Sequence, residues 1–440
     1  MNEYILMREC LCLVFFLLLI PKGICLLRIP FDEQFQYKED VDVKITEGRR
    51  TRRSIDDRFH PQFYDLELLV GGSLVHIHLS RNDDVQTNVP ILSLQNHELV
   101  ERTLTEIQKS IYYQDDKIGG SFVVQFDEQN ARNMIGVFLT KQGEYIMQTS
   151  NTNITSAFKG LHKCEIKMIQ KHDFNDFLDI GKRLNNVTTA KYNKTHNRHK
   201  RATRAYKIEL LIVCDFSIYR YWYNKSLKAT ANERETDALL TIRQFYAFLI
   251  NGMDSRYKNI QTTSYTISIV FAGIIIAQSQ ENSEWTEAIK NTSVTPNQVF
   301  ADDALLNFST WIQSTPGLPS NDHAMLFTKY DLTVPGMSSK AANSRTFVGG
   351  MCLPYSQSLV EDGFDFLTIT VASHILGHSL NASHDGDGNS CNSSDVYIMA
   401  ASNSPQITSN TAVHPWIFSS CSTSYFTSYI DSLDAKRLYD

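Results

Sequence analysis

The chain has 440 residues, 42% of them hydrophobic and 20% charged, which is enough apolar material for sizeable cores and a length that suggests two or three domains. Its 42 Lys and Arg against 48 Asp and Glu give a formal net charge of −6, which gives no reason to expect nucleic-acid binding.

The N-terminus reads MNEYILMRECLCLVFFLLLIPKGICLL, with Arg8 ahead of an unbroken apolar run from Cys10 to Ile20 that Pro21 stops. Residues 1–25 have the layout of a secretory signal, and their apolar run is too short to span a bilayer as a helix. No later run reaches eighteen apolar residues, so the expectation is a secreted, extracellular protein with no membrane attachment once the signal is removed. Cys10, Cys12 and Cys25 leave with that segment, and Cys164, Cys214, Cys352, Cys391 and Cys421 remain. Sequons at Asn153, Asn186, Asn193, Asn224, Asn291, Asn307, Asn381 and Asn392 are candidate glycan sites in an exported chain.

Residues 26 to about 60 are polar, carry a basic cluster at 49–53 that offers a secondary cleavage point, and are expected to be a solvated, flexible lead-in. From Gln62 to Met168 the text alternates: YDLELLVGGSLVHIHLS, SFVVQFDE, MIGVFLT and EYIMQTS. Period-two alternation with Gly-Gly and Gln-Gly turns predicts a β-rich domain, a pattern that suits many β folds. Residues 181–205 are polar and basic and hold Arg198-His199-Lys200-Arg201, which suits the acidic pocket of a furin-type convertase. Cleavage after Arg201 would separate 26–201 from 202–440.

The second region opens on a strand from Ala205 to Val213. Asn232 with Glu235 reads as a helix start. Leu239, Ile242, Tyr246, Leu249 and Ile250 follow at helical spacing, with Gly252 as the stop. A strand over 265–277 and a helix over 299–312 come next. Alternating strands and helices predict an α/β domain with a mostly parallel sheet.

Val371 to Ala401 carries the chemistry. His374 and His378 are four apart, one turn on one face of a helix, so both imidazoles can reach one ion. His384 lies past the helix end. A catalytic zinc takes three protein ligands and leaves a fourth position open, whereas a structural zinc closes it, for which Cys391 is the nearby candidate.

The pattern H-x-x-x-H-x-x-x-x-x-H, followed by Asp385 and then Met399, resembles the metzincin metalloproteases, and HDGDGNSC and YIMA are similar to the reprolysin (adamalysin) branch. The resemblance covers about Tyr206 to Leu433. It implies one zinc ion on His374, His378 and His384, Met399 in a methionine turn beneath it, and a twisted, mostly parallel sheet. It also implies that 26–201 is a prodomain whose Cys164 presents a thiolate to the metal. His323–Thr328 would be the edge strand above the cleft, Phe347–Cys352 the strand before the zinc helix, and Cys352–Cys421 a disulfide. Disintegrin, Cys-rich and thrombospondin modules are not expected, a short layout similar to arthropod proteins such as parasitoid wasp venom metalloproteinases.

Two positions depart from the family. Its glutamate, which takes a proton from the attacking water and passes it to the leaving amine, is replaced by Ile375, and its glycine by Asn381. Asn tolerates the left-handed backbone needed there. Isoleucine has no titratable atom. The expected function is therefore a secreted pseudoprotease that keeps zinc and the cleft, binds an extracellular protein or peptide and is monomeric. The alternatives are an active zinc metalloendopeptidase cleaving extracellular proteins, and a zinc-free carrier of glycans.

Overall fold

The computed structural model describes residues 38–48, 61–168 and 204–436, apart from 86–88, 105–108, 116, 118, 127–131, 150–159, 261, 263–264, 335–342, 365, 402–410 and 412. The expected signal, the linker with Arg198 and Arg201, and the sequons at Asn153, Asn186 and Asn193 lie outside the described residues.

The strands before the linker are β1 (Lys38–Gly48), β2 (Phe63–Val70), β3 (Ser73–Arg81), β4 (Ile91–Gln95), β5 (Glu98–Arg102), β6 (Lys109–Asp115), β7 (Gly120–Phe126), β8 (Arg132–Thr140), β9 (Gly143–Thr149) and β10 (Gly160–Met168). Eight of them close an antiparallel barrel in the order β1-β10-β9-β8-β7-β6-β3-β2. Gly71 and Gly72 turn β2 into β3 with φ of 54° and 79°, backbone that glycine adopts without strain. On β2 the alternation is clean, with Tyr64, Leu66, Leu68 and Val70 facing the barrel interior. On β6 to β9 both faces are largely buried, the inner one apolar and the outer one mixed. Tyr113, Phe122, Val124 and Phe138 point inward, while Tyr112, Val123, Ile135, Val137 and Ile146 join the core of the second half of the chain.

That second half contains β11 (Arg204–Cys214), α1 (Phe216–Lys225), α2 (Ala231–Lys258), β12 (Tyr265–Ala277), α3 (Glu284–Glu287), β13 (Gln298–Phe300), α4 (Ala301–Ser314), β14 (His323–Thr328), β15 (Asp331–Thr333), β16 (Ser344–Thr346), β17 (Gln357–Glu361), α5 (Leu367–Ser379) and α6 (Ser420–Lys436). The main sheet runs β16-β17-β14-β11-β12-β4-β5. Its five inner strands are parallel and its two outer strands antiparallel. The α/β class holds. The sheet's last two strands come from the N-terminal half: the β4–β5 hairpin leaves the barrel and sets Ile91–Leu94 beside Ile274–Ala277.

Several expectations are corrected. Helix α2 begins at Ala231, capped by Thr230 and Glu233 in a reciprocal box, not at Asn232 and Glu235. It runs straight through Gly252, where a Cβ would come within 2.7 Å of Ile369, so this glycine permits the α2–α5 crossing instead of ending the helix. His323–Thr328 is an interior strand, paired on both sides, and β16 forms the outer edge. Phe347–Cys352 is a turn, because Gly349 and Cys352 take φ of 66° and 59°; the strand before the metal helix is β17.

Cys421 bonds to Cys391, not to Cys352. Cys352 is a free thiol with its Sγ 3.7 Å from Asp322 Oδ1. The link between its segment and α6 is instead the Tyr429 hydroxyl, 2.8 Å from the carbonyls of both Gly349 and Met351. The bond to Cys421 also rules out Cys391 as a fourth metal ligand. Cys164 is corrected too. Its register opposite Val41 and Thr149 turns the side chain into the barrel, among Val43, Ile166 and Met147, where burial pushes the thiol up to about 12. It stays protonated and lies outside the histidine cluster. Asn224, Asn291, Asn307, Asn381 and Asn392 are all exposed, as glycan acceptors require. No described helix is long and apolar enough to cross a membrane.

Candidate metal centre

Helix α5 (LTITVASHILGHS) is buried along its whole length. A helix buried on every side is a core element, and α5 is held as one. The Tyr257 hydroxyl of α2 donates to Ser373 O at 3.0 Å, and Ile369 packs where Gly252 lets it approach. His374 and His378 project from the last two turns of this fixed rod. Asn381, at φ 67°, then reverses the chain, with its N–H on His378 O at 2.8 Å and that of Ala382 on Gly377 O at 3.1 Å. The reversal brings His384 back to the helix. Asn389 fixes the loop beyond, donating to His384 O at 2.7 Å.

The three Nε2 atoms form a triangle with sides of 3.0, 3.2 and 3.3 Å. His374 Nδ1 lies 2.6 Å from Ile398 O and His378 Nδ1 2.7 Å from Ala382 O. A carbonyl accepts only, so each Nδ1 carries the proton and each Nε2 presents a lone pair. Lone pairs converging at this distance repel unless a cation sits among them. Tetrahedral zinc with Zn–N of about 2.0–2.1 Å spaces its nitrogens by about 3.3 Å. Carbonyl-oriented imidazoles are also the usual outer support of zinc ligands. The residues present therefore fit the ion. Among the described residues no carboxylate or thiol joins the cluster.

Met399 lies beneath the helix: a Cβ at Gly377 would sit 2.6 Å from its Sδ, so glycine at 377 is what lets the methionine turn pass. The Asp385 N–H bonds Met399 O at 2.8 Å, and its Oδ1 accepts from Ser419 at 2.6 Å. Burial raises the Asp385 pKa. This carboxylate ties the loop to the methionine turn and to the start of α6. Ile375, one residue after the first ligand, is fully buried in the apolar core. Edge strand β16 ends beside the centre, with the Thr346 hydroxyl 2.9 Å from Ser379 Oγ and Gly349 N–H on His378 O at 2.9 Å.

The histidine trio and Met399 come together as the sequence predicted. Cys164 does not join them. Ser419, Tyr257 and the carbonyls of Ile398 and Ala382 escaped sequence reasoning, because their roles come from contacts between distant segments with no spacing signal. Gly377 had one: a helix interior without bulk, directly before a predicted ligand.

Three imidazoles on the end of a buried helix and its reversing loop, floored by a methionine turn and flanked by a mostly parallel sheet, define a metallopeptidase-type domain. Residues 204–411 match Metallo-peptidase family M12 in its reprolysin form. The chain is 28% identical over 234 residues to "A disintegrin and metalloproteinase with thrombospondin motifs like" of Bombyx mori, covering 50% of this chain and 31% of that protein. It is 25% identical over 438 residues to "A disintegrin and metalloproteinase with thrombospondin motifs 6" of Homo sapiens, covering 89% and 36%. It thus spans about a third of the length of these relatives. Metalloproteinase-II of Bacteroides fragilis aligns over 82% of this chain and 89% of its own at 10% identity and a TM-score of 0.36, too remote to bear on the site. The domain that begins at residue 204 belongs to the reprolysin branch of the M12 metallopeptidases, a zinc-dependent family.

Proposed function

We propose that this chain is a secreted pseudoprotease, a reprolysin homologue that holds one zinc ion and binds extended peptide segments of extracellular proteins without cleaving them. The observation that carries this reading is Ile375: the position from which the family moves its proton holds a buried aliphatic side chain. His374, His378 and His384 hold the ion, which when bound supplies Lewis-acid polarisation of a peptide carbonyl. Antiparallel β16 is the outer strand of the sheet on this side, its three residues are buried, and its last residue abuts the metal helix. No described side chain beside the histidines stands ready to shuttle a proton. Asp385 is bound to Ser419, and Asp387 is exposed on the loop outside the cluster. General acid–base catalysis typically contributes about 10²–10⁴-fold, so its loss leaves binding as the dominant function.

Processing after Arg201 by a furin-type convertase, glycans on the exposed sequons, a monomeric state and a venom setting belong to the same reading. They rest on the basic linker, the five exposed asparagines and the family resemblance. The deciding experiment measures metal content and proteolysis of the purified protein together. The reading expects about one zinc per chain, lost in the His374→Ala/His378→Ala variant, and no cleavage of unfolded protein substrates. Chelator-sensitive cleavage by the unmodified chain would return it to the active endopeptidases. A chain without zinc after reconstitution would leave a glycan carrier.

A further inference from the structure

We infer that the N-terminal barrel is a permanent part of the working molecule: cutting the linker gives a tightly held two-chain complex, not a released metallopeptidase domain. It rests on the proposed function only in taking cleavage after Arg201 as a natural event.

Three separate contacts carry it. The first is a shared core. The outer face of β6–β9 is buried like the inner one, and its apolar residues Tyr112, Val123, Ile135, Val137 and Ile146 pack in one cluster with α2 residues such as Leu239, Tyr246 and Phe248. A barrel built to leave would keep its outward residues solvated there, as β2 does, whereas every residue of β7 is buried.

The second is a polar network buried at the same junction. Asn251 and Asp254 of α2 are fully buried. Asn251 Nδ2 donates to Tyr113 O at 3.0 Å and Ser121 Oγ at 2.8 Å, and its Oδ1 accepts from Asn82 at 2.9 Å. Asp254 Oδ2 accepts from Asn82 at 3.0 Å and Gln114 at 2.9 Å. Two residues on, buried Arg256 faces buried Glu144 of β9 at 3.6 Å, lies 4.1 Å from the Trp416 ring centre and donates to Thr370 of α5 at 2.7 Å. The positive charge inside the metallopeptidase half is thus matched by a carboxylate of the barrel, and separation would leave Arg256 without it.

The third is strand addition. The β4–β5 hairpin completes the metallopeptidase sheet, with Arg102 paired to Glu235 and His97 N–H on Asn282 Oδ1 at 3.1 Å. Without it β12 becomes a bare edge of apolar residues, a surface that soluble proteins cover. At the other end of the junction Gly119 (φ 76°) lies against Trp416, where a Cβ would come within 2.8 Å of the indole. The barrel therefore also braces the segment that follows the methionine turn.

The test inserts a recognition site for a sequence-specific protease between residues 181 and 200 of the full chain, cuts to completion, and runs size exclusion at low salt and at 1 M NaCl. The two fragments should elute together at the position of the uncut chain at both salts, and native mass spectrometry should find them as a 1:1 pair. Amide exchange at 251–257 should stay within about threefold of the uncut chain. A C-terminal fragment that elutes alone as a monodisperse, folded species overturns the inference. Ile135→Asp/Val137→Asp, checked for native circular dichroism before cutting, should raise the dissociated fraction at least tenfold; if it folds and the fragments still elute as one, the apolar wall is not what holds them.

Discussion

Replacing Ile375 by Glu tests the central claim most directly, because it changes the proton chemistry while leaving all three ligands in place. Ile375 is fully buried in the main core, so the substitution has a structural cost that can be sized. Losing the buried aliphatic group costs about 1.5–3 kcal/mol. A carboxylate with no partner takes up a proton instead of ionising. Raising its pKa from about 4.3 past neutrality limits that penalty to about 4 kcal/mol at pH 7. The metal-free variant is then destabilised by about 5–7 kcal/mol, against a typical total of about 5–15 kcal/mol for a domain. A cation on the histidines pairs the new charge, so zinc should rescue the variant far more than it stabilises the parent. Thermal melts with zinc and with a chelator read this directly. Cleavage of an unfolded substrate, scored beside the melts, should rise by about 10²–10⁴-fold over the parent. A zinc-linked stabilisation no larger in Ile375→Glu than in the parent would show that residue 375 does not address the centre, and the reasoning from its position would fail.

Three further outcomes are expected. Cys391→Ser should lower stability by about 3–4 kcal/mol, the chain-entropy value for a loop closed by cysteines 30 residues apart, and peptide mapping of the parent should recover Cys391 joined to Cys421; a Cys352–Cys421 peptide would contradict the structure. Cys164→Ser should leave zinc content unchanged, and the parent thiol should resist alkylation at pH 8 until the chain unfolds, since burial holds it protonated; rapid native labelling would refute this. Asp215 is buried at the start of α1, where it accepts from Ser217 N–H, Ile218 N–H, Thr286 and Thr328, and burial raises it from 3.8 to about 6. The folded state binds its proton more tightly than the unfolded state, so this group's contribution falls by about 3 kcal/mol as pH rises from about 4 to above 6. Asp215→Asn should remove that slope, and urea titrations giving a pH-independent difference between parent and variant would contradict it.

Local patterning already specified much of this molecule. Period two over 62–168 and the glycine turns gave the barrel strands except β1, because a pleated strand must alternate its faces; β1 lies in the stretch read as a flexible lead-in, and its pairing with β2 and β10 is what makes it a strand. Apolar spacing gave α2 and α4, and three histidines at offsets of four and six fixed the metal ligands, because a helix turn and its reversal are short-range geometry. The same text showed that Ile375 carries no proton. Other features depended on partners far away in the chain. Gly252 reads as a helix stop until α5 is seen to cross it, and Thr346 and Tyr429 gain their roles only by contact with α5 and the Gly349 turn. Cys164 reads as a metal thiolate until the barrel closes around it, and Cys421 chose Cys391 because the loop after His384 folds back onto the start of α6. The union of barrel and metallopeptidase halves through β4–β5 and the outer wall of β6–β9 was carried in the sequence only as strands with apolar residues such as Ile135, Val137 and Ile146 on their second face. Such strands state that a second surface must be covered; which surface covers it is a matter of non-local packing, and only the folded chain decides it.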